Sequence, residues 1–359
     1  MGHLPIVNQD TVTDVIQTGF ISTRGDLNVI WEKTTADIFS DMLATREGDL
    51  VFPWIITGGG KPNLGFKYVF YVDGPPIFVK GEEYPVKVPL KREGLEFRNP
   101  LSEVAALDLW GSKLLWNAIG KKSLGRGRSL THQMPMEDDR LMDLLASINP
   151  EGPRKIAIGK ASIKGVPITI STSRNSWDHN LLKLLENSSP YERLSKLDLD
   201  GIPWRSDVLF NYEKALEAWI MENIDKPPGR EFRENVFEPR LKIEWFGNYL
   251  SFGVAGSNMD VVVIQSDDSR KLVTVIELKV SPLRISEFLD AANQVQMYCE
   301  FIKDAFKAYG ESIETRGAVV SGISRISSSE LSKIKDSNVK WIIYYIDDDG
   351  KVNFKHFLL

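Results

Sequence analysis

Residues 257–264 read Ser257-Asn258-Met259-Asp260-Val261-Val262-Val263-Ile264. After a turn signal at Asp267-Asp268-Ser269 the chain continues Val273-Thr274-Val275-Ile276-Glu277-Leu278-Lys279-Val280. Both stretches are apolar enough to be buried strands, and their spacing suits a hairpin. Side chains alternate along a strand, so Glu277 and Lys279 share one face while Leu278 takes the other. A hairpin brings Asp260, 17 residues before Glu277, alongside that pair. Two carboxylates and an ammonium then converge within an apolar sheet. Two buried carboxylates repel without a cation, and the grouping suits a hard divalent ion, which takes oxygen ligands and keeps several waters.

The flanking sequence keeps an α/β rhythm. Residues 207–224 form an expected helix carrying Glu213 and Glu217, stopped by Asp225-Lys226-Pro227-Pro228-Gly229. Residues 241–245 and 249–252 are expected strands split by Gly247-Asn248. Residues 285–308 form a long expected helix with Gln294 and Tyr298, and later strands fall at 318–321, 341–346 and 352–357, the last two joined by Asp347-Asp348-Asp349-Gly350.

Asp260 followed by Glu277-Leu278-Lys279 resembles the motif of the PD-(D/E)xK nuclease superfamily, with Met259 where the family has proline. Gln294-Val295-Gln296-Met297-Tyr298 resembles the Q-x-x-x-Y element of its RecB-like branch, and the helix with Glu217, or else Glu213, resembles the one that can add an acidic residue. The resemblance covers residues 205–359. It implies a restriction endonuclease-like mixed sheet flanked by helices, Mg²⁺ (or Mn²⁺ in its place) held by Asp260 and Glu277, and catalytic roles for Asp260, Glu277, Lys279, Gln294 and Glu217.

The first 150 residues mix strands and helices. Expected strands lie at 26–31, 50–56, 66–72 and 85–90, where Pro85 and Pro89 suggest an edge, with expected helices at 36–43, 107–119 and 136–148. Val29-Ile30-Trp31, Gly48-Asp49-Leu50-Val51-Phe52 and Leu64–Tyr71 resemble the PUA-like group that includes EVE and YTH domains. That resemblance implies a β-barrel with flanking helices that holds one nucleobase, with Trp31 and Trp54 as walls of the base pocket. No Asp or Glu falls between Asp108 and Glu137, a window holding Lys113, Lys121, Lys122, Arg126 and Arg128. Lys121, Lys122, Arg126 and Arg128 are candidate phosphate contacts. Neither Gly58–Gly60 nor Gly125–Gly127 has the P-loop pattern.

The 359 residues suggest two domains, a base-reading domain at 1–150 and a nuclease domain at 205–359, with 151–204 as a connecting region. The fold class expected is α/β and α+β. One cysteine and four scattered histidines disfavour a disulfide framework or a zinc site. No apolar run approaches the roughly 20 residues of a membrane span, and a cytoplasmic location is expected. The net charge of -5 argues weakly against nucleic acid, but metal-binding carboxylates account for part of it. The expected activity is a Mg²⁺-dependent DNA endonuclease guided by a modified or damaged base, in restriction or repair. Duplex cutting needs two active sites, which a homodimer would supply. The alternative is a non-catalytic protein whose front domain reads RNA.

Overall fold

The structure is a computed structural model that describes residues 2–23, 40–57, 64–79, 84, 86–102, 105, 131–159, 191–193, 209–252, 257–323 and 338–357. The chain forms two compact units. One comprises Met1–Asn28 and Asp41–Asp198, the other Val29–Ser40 and Leu199–Leu359. Both mix helices with β-sheet.

In the first unit, Pro5 and Pro53 divide two extended stretches, because proline has no N–H to give a ladder. The first stretch becomes β1 (Gly2–Leu4) and β2 (Ile6–Asn8). The second becomes β4 (Leu50–Val51) and β5 (Trp54–Ile56), following β3 (Phe20–Thr23). β1 runs parallel to β4, and β2 parallel to β5. β6 (Gly65–Tyr71) then pairs antiparallel with both β4 and β5. The sheet continues to β9 (Glu93–Leu101) and β11 (Arg154–Ala157), and β10 (Thr131–Gln133) closes its other side on β1. A second, antiparallel sheet has the order β12 (Tyr191–Arg193), β7 (Ile77–Val79), β8 (Val86–Pro89), β3.

Two expectations change here. Among the described residues no barrel closes; the strands form open sheets, and β6 pairs with β4 at one end and β5 at the other. β8 is an interior strand despite its proline. Pro89 lies at the strand end, where its carbonyl accepts from Asp73 N–H at 2.9 Å and no ladder donor is required. The connecting region also contributes β11 and β12 to these sheets.

Helix α1 (Gln9–Thr18) starts at Asn8, whose side chain accepts from Thr11 N–H, and stops at Gly19 with φ 78°. Helix α2 (Pro135–Ser147) lays Leu141, Leu144 and Leu145 on a core of Leu4, Phe52, Trp54, Phe66, Val69, Phe97 and Leu101. His3, Asp49 and His132 form a buried chain that ties β1, β10 and the approach to β4 together. His3 Nε2 meets Asp49 Oδ2 at 2.7 Å, and the two histidine Nδ1 atoms lie 2.9 Å apart. Burial pushes the nearby Glu137 carboxyl up to about 8.

The second unit is built on one six-stranded sheet in sequence order: β13 (Lys242–Phe252), β14 (Ser257–Ser266), β15 (Lys271–Pro282), β16 (Glu314–Gly322), β17 (Val339–Ile346) and β18 (Val352–His356). The β15–β16 and β16–β17 pairs are parallel and the rest antiparallel. Parallel neighbours need a crossover, and α5 (Ile285–Ala308) supplies the first. Helices α3 (Glu213–Asn223) and α4 (Arg230–Val236) also pack against the sheet. Gly247-Asn248 does not end β13: Asn248 pairs with Val261 and Leu250 with Met259 in the same register, and the register irregularity falls earlier, between Ile243 and Trp245.

Trp54 is 3 % exposed, with its ring 4.8 Å from that of Phe66. Truncating such a side chain leaves a cavity. Trp54→Ala is therefore expected to destabilise the first unit by about 3–5 kcal/mol in denaturant melts. A loss below about 1 kcal/mol would show that the ring is not a core element.

Candidate functional site

The apolar runs of β14 and β15 pair from Ser266 opposite Lys271 up to Val261 opposite Ile276. One step further the same register faces Asp260 toward Glu277, and there the ladder gives way to side-chain bonding. Asp260 Oδ2 accepts from the Leu278 N–H at 2.9 Å, in place of a backbone carbonyl. Lys279 Nζ donates to Glu277 Oε1 at 2.9 Å and to the Leu278 carbonyl at 3.0 Å. It also lies 3.5 Å from Glu213 Oε1, on the first turn of α3. Asp260, Glu277 and Lys279 thus meet where the two strands part.

Burial and mutual repulsion set the electrostatics. Burial, then the Glu277 charge, pushes the Asp260 carboxyl up to about 7 against the pull of Lys214 and the Leu278 amide. Burial likewise raises Glu277, with Lys279 opposing. Burial disfavours charge on Lys279, but Glu277, Asp260 and Glu213 outweigh it and hold the ammonium above its usual range. One atom is left over: Glu277 Oε2 is buried with no hydrogen-bond partner. Such an atom calls for a cation, a proton or a water.

Glu217 is brought beside this group but is already engaged. It is fully buried. Its Oε1 accepts from Ser40 Oγ at 2.5 Å and Asn248 Nδ2 at 2.5 Å, while its Oε2 accepts from Lys214 Nζ. With three donors on its two oxygens, Glu217 acts as a structural anchor here rather than an open ligand. Of the two helix carboxylates, Glu213 is the one against Lys279.

Gln294 reaches the site indirectly. Its Nε2 donates to Tyr298 Oη at 2.5 Å, and Tyr298 Oη donates to the Asn258 carbonyl at 3.3 Å, two residues before Asp260. The spacing of four residues puts both side chains on one side of α5. Burial raises the Tyr298 phenol, so it keeps its proton for that bond.

Four residues of this arrangement had no signal in the sequence reading. Lys214 looks like any helix lysine, Ser40 lies 177 residues from Glu217, Asn248 falls where a strand break was expected, and Tyr249 was an ordinary residue at the start of an expected strand. Of the base-pocket and phosphate candidates, Trp54 is in the core. Trp31, Lys121, Lys122, Arg126 and Arg128, with both glycine loops, lie outside the described residues.

The donor set fits a small hard cation. Among the described residues no group of three or more His, Cys, Asp and Glu is arranged to hold a metal. Asp260 and Glu277 are two carboxylates, enough for Mg²⁺, which fills its remaining positions with water and substrate oxygens. The unpartnered Glu277 Oε2 is the oxygen free to serve. No family model, curated protein or solved structure matches this chain.

A carboxyl whose pKa is raised on folding binds its proton more tightly in the folded state. Its ionisation therefore costs stability as pH climbs from about 3.8 through about 7. Asp260→Asn removes that charge and keeps an acceptor for Leu278. Without metal, it is expected to raise the melting temperature by about 2–4 °C at pH 8.5 and to change it little at pH 4. An equal shift at both pH values would disprove the charge as cause.

Proposed function

We propose that the second unit is a Mg²⁺-dependent endodeoxyribonuclease centre of the PD-(D/E)xK type, and that residues 1–150 direct it to a modified or damaged base. The observation that carries the reading is the convergence of Asp260, Glu277 and Lys279 where β14 and β15 diverge, with a buried carboxylate oxygen left unpartnered. Support also comes from the order of elements around it: a helix, antiparallel strands bearing the carboxylates, then a crossover helix leading to a parallel strand.

In this reading Asp260 and Glu277 bind the ion. When bound, Mg²⁺ would polarise the scissile phosphoryl group and lower the pKa of an attacking water. Lys279, held charged by its carboxylate neighbours, orients that water and offsets charge developing on the phosphate oxygens. Glu213 lies within reach of the same ammonium and tunes its position. Gln294 acts through Tyr298 to fix the Asn258 backbone, and so the start of the strand that presents Asp260. Glu217 locks α3 against β13 through Asn248. DNA is the proposed partner, with the acid-free window 109–136 as phosphate contact and Trp31 as the face for an extruded base. Two copies would cut a duplex.

The test is cleavage of plain, methylated, hydroxymethylated and deaminated duplexes with Mg²⁺ or EDTA. The wild type is expected to cut in Mg²⁺ and not in EDTA, and to prefer one of the altered duplexes. Asp260→Ala and Lys279→Ala are each expected to lower the rate by about 100-fold or more with DNA binding retained. Cleavage that survives both substitutions would refute the catalytic assignment. Equal cutting of all four duplexes would refute base reading alone.

A further inference from the structure

Lys214 stands in the first turn of α3 with its side chain 10 % exposed, an unusual degree of burial for lysine. Its ammonium lies between two carboxylates: it donates to Glu217 Oε2 and sits 3.7 Å from Asp260 Oδ1. The Tyr249 ring covers it, with the ring centroid 4.7 Å from Nζ. Tyr249 adopts φ 56°, a left-handed conformation that costs a bulky residue free energy and persists where surroundings enforce it. The preceding Asn248 spends its amide on Glu217 and on Ser40 Oγ, at 2.5 and 2.7 Å. One dipeptide of β13 therefore holds both the anchor carboxylate and the ring over the lysine. This is a fixed ammonium, not a side chain sweeping through solvent.

Charge explains what it is fixed for. Glu213, Glu217, Asp260 and Glu277 face one another across α3, β14 and β15, and the cations among them are Lys214 and Lys279. Lys279 is paired with Glu277 and Glu213. Lys214 is the ammonium against Glu217 and Asp260. We infer that Lys214 is a built-in counter-cation that neutralises the Glu217–Asp260 side of the site and competes with a divalent ion for Asp260. The inference rests on the reading of Asp260 and Glu277 as metal ligands. It makes Lys214 a positioning residue: it keeps the carboxylates gathered before the ion arrives, and it weakens the ion's hold.

The experiment is calorimetric titration of the full chain with Ca²⁺ and Mn²⁺, paired with melts in the presence and absence of each ion. Lys214→Met and Lys214→Gln are expected to bind the ion about tenfold more tightly than wild type, because an opposing charge about 4 Å from the ligand is gone. They are also expected to melt lower without the ion and to gain more from it. Lys214→Arg, which keeps the charge, is expected to restore wild-type affinity. If the methionine variant does not fold, the glutamine variant carries the comparison. Loss of the heat in Asp260→Asn assigns it to this site. Unchanged or weaker binding in the neutral variants, with binding intact in wild type, overturns the counter-cation role and leaves the metal site standing. No binding in wild type or variants overturns the metal reading, and the inference with it.

Discussion

The second unit depends on one electrostatic constraint: carboxylates are held in an apolar sheet, and each needs a partner. Glu277 is 5 % exposed and Glu217 wholly buried. Removing a charge from water costs several kcal/mol unless hydrogen bonds and opposite charge compensate. Glu217 has three donors. Asp260 has a backbone amide and a lysine at 3.7 Å. Glu277 has Lys279 on one oxygen and nothing on the other. Among the oxygens of these three carboxylates, Glu277 Oε2 is the buried one left without a hydrogen-bond partner.

The sheet creates that deficit by its topology. β14 pairs with β15 only to Val261 and Ile276, then the strands part, while β15 goes on pairing with β16 through Leu278. Continued pairing would have enclosed Asp260 and Glu277 between ladders. Parting lets Asp260 turn its carboxylate to the Leu278 amide and opens the side of the sheet where α3 brings Glu213 and Lys214. The crossover helix α5 returns past this opening, so Tyr298 can hold the Asn258 carbonyl. A strand end, one helix and the next crossover thus fix the group from three directions, and rigid elements hold such geometry better than loops do.

Much of this was legible because it follows from period. Alternation in 273–280 put Glu277 and Lys279 together, and the 285–308 helix appears with those bounds. What was not legible came from long-range partners. Asn248 looked like a break because glycine and asparagine favour turns, yet its amide is used inward on Glu217, and the strand runs through it. Glu217 was given a catalytic role through the family resemblance; Ser40, which donates to it, is 177 residues away and too distant in sequence to be foreseen. Lys214 had no distinguishing pattern, since its burial depends on Tyr249 lying over it. In the first unit, 50–56 was read as one strand; Pro53 divides it into β4 and β5, both paired with β6, and among the described residues the strands form open sheets.

The central claim is that Asp260 and Glu277 together hold a divalent ion. Anomalous diffraction from crystals soaked in Mn²⁺ tests it most directly. The account predicts a peak within about 2.0–2.3 Å of a carboxylate oxygen from each residue, with Glu277 Oε2 among them and Lys214 drawn away from Asp260. A saturating soak that leaves this position empty, or that puts the ion elsewhere, would contradict it.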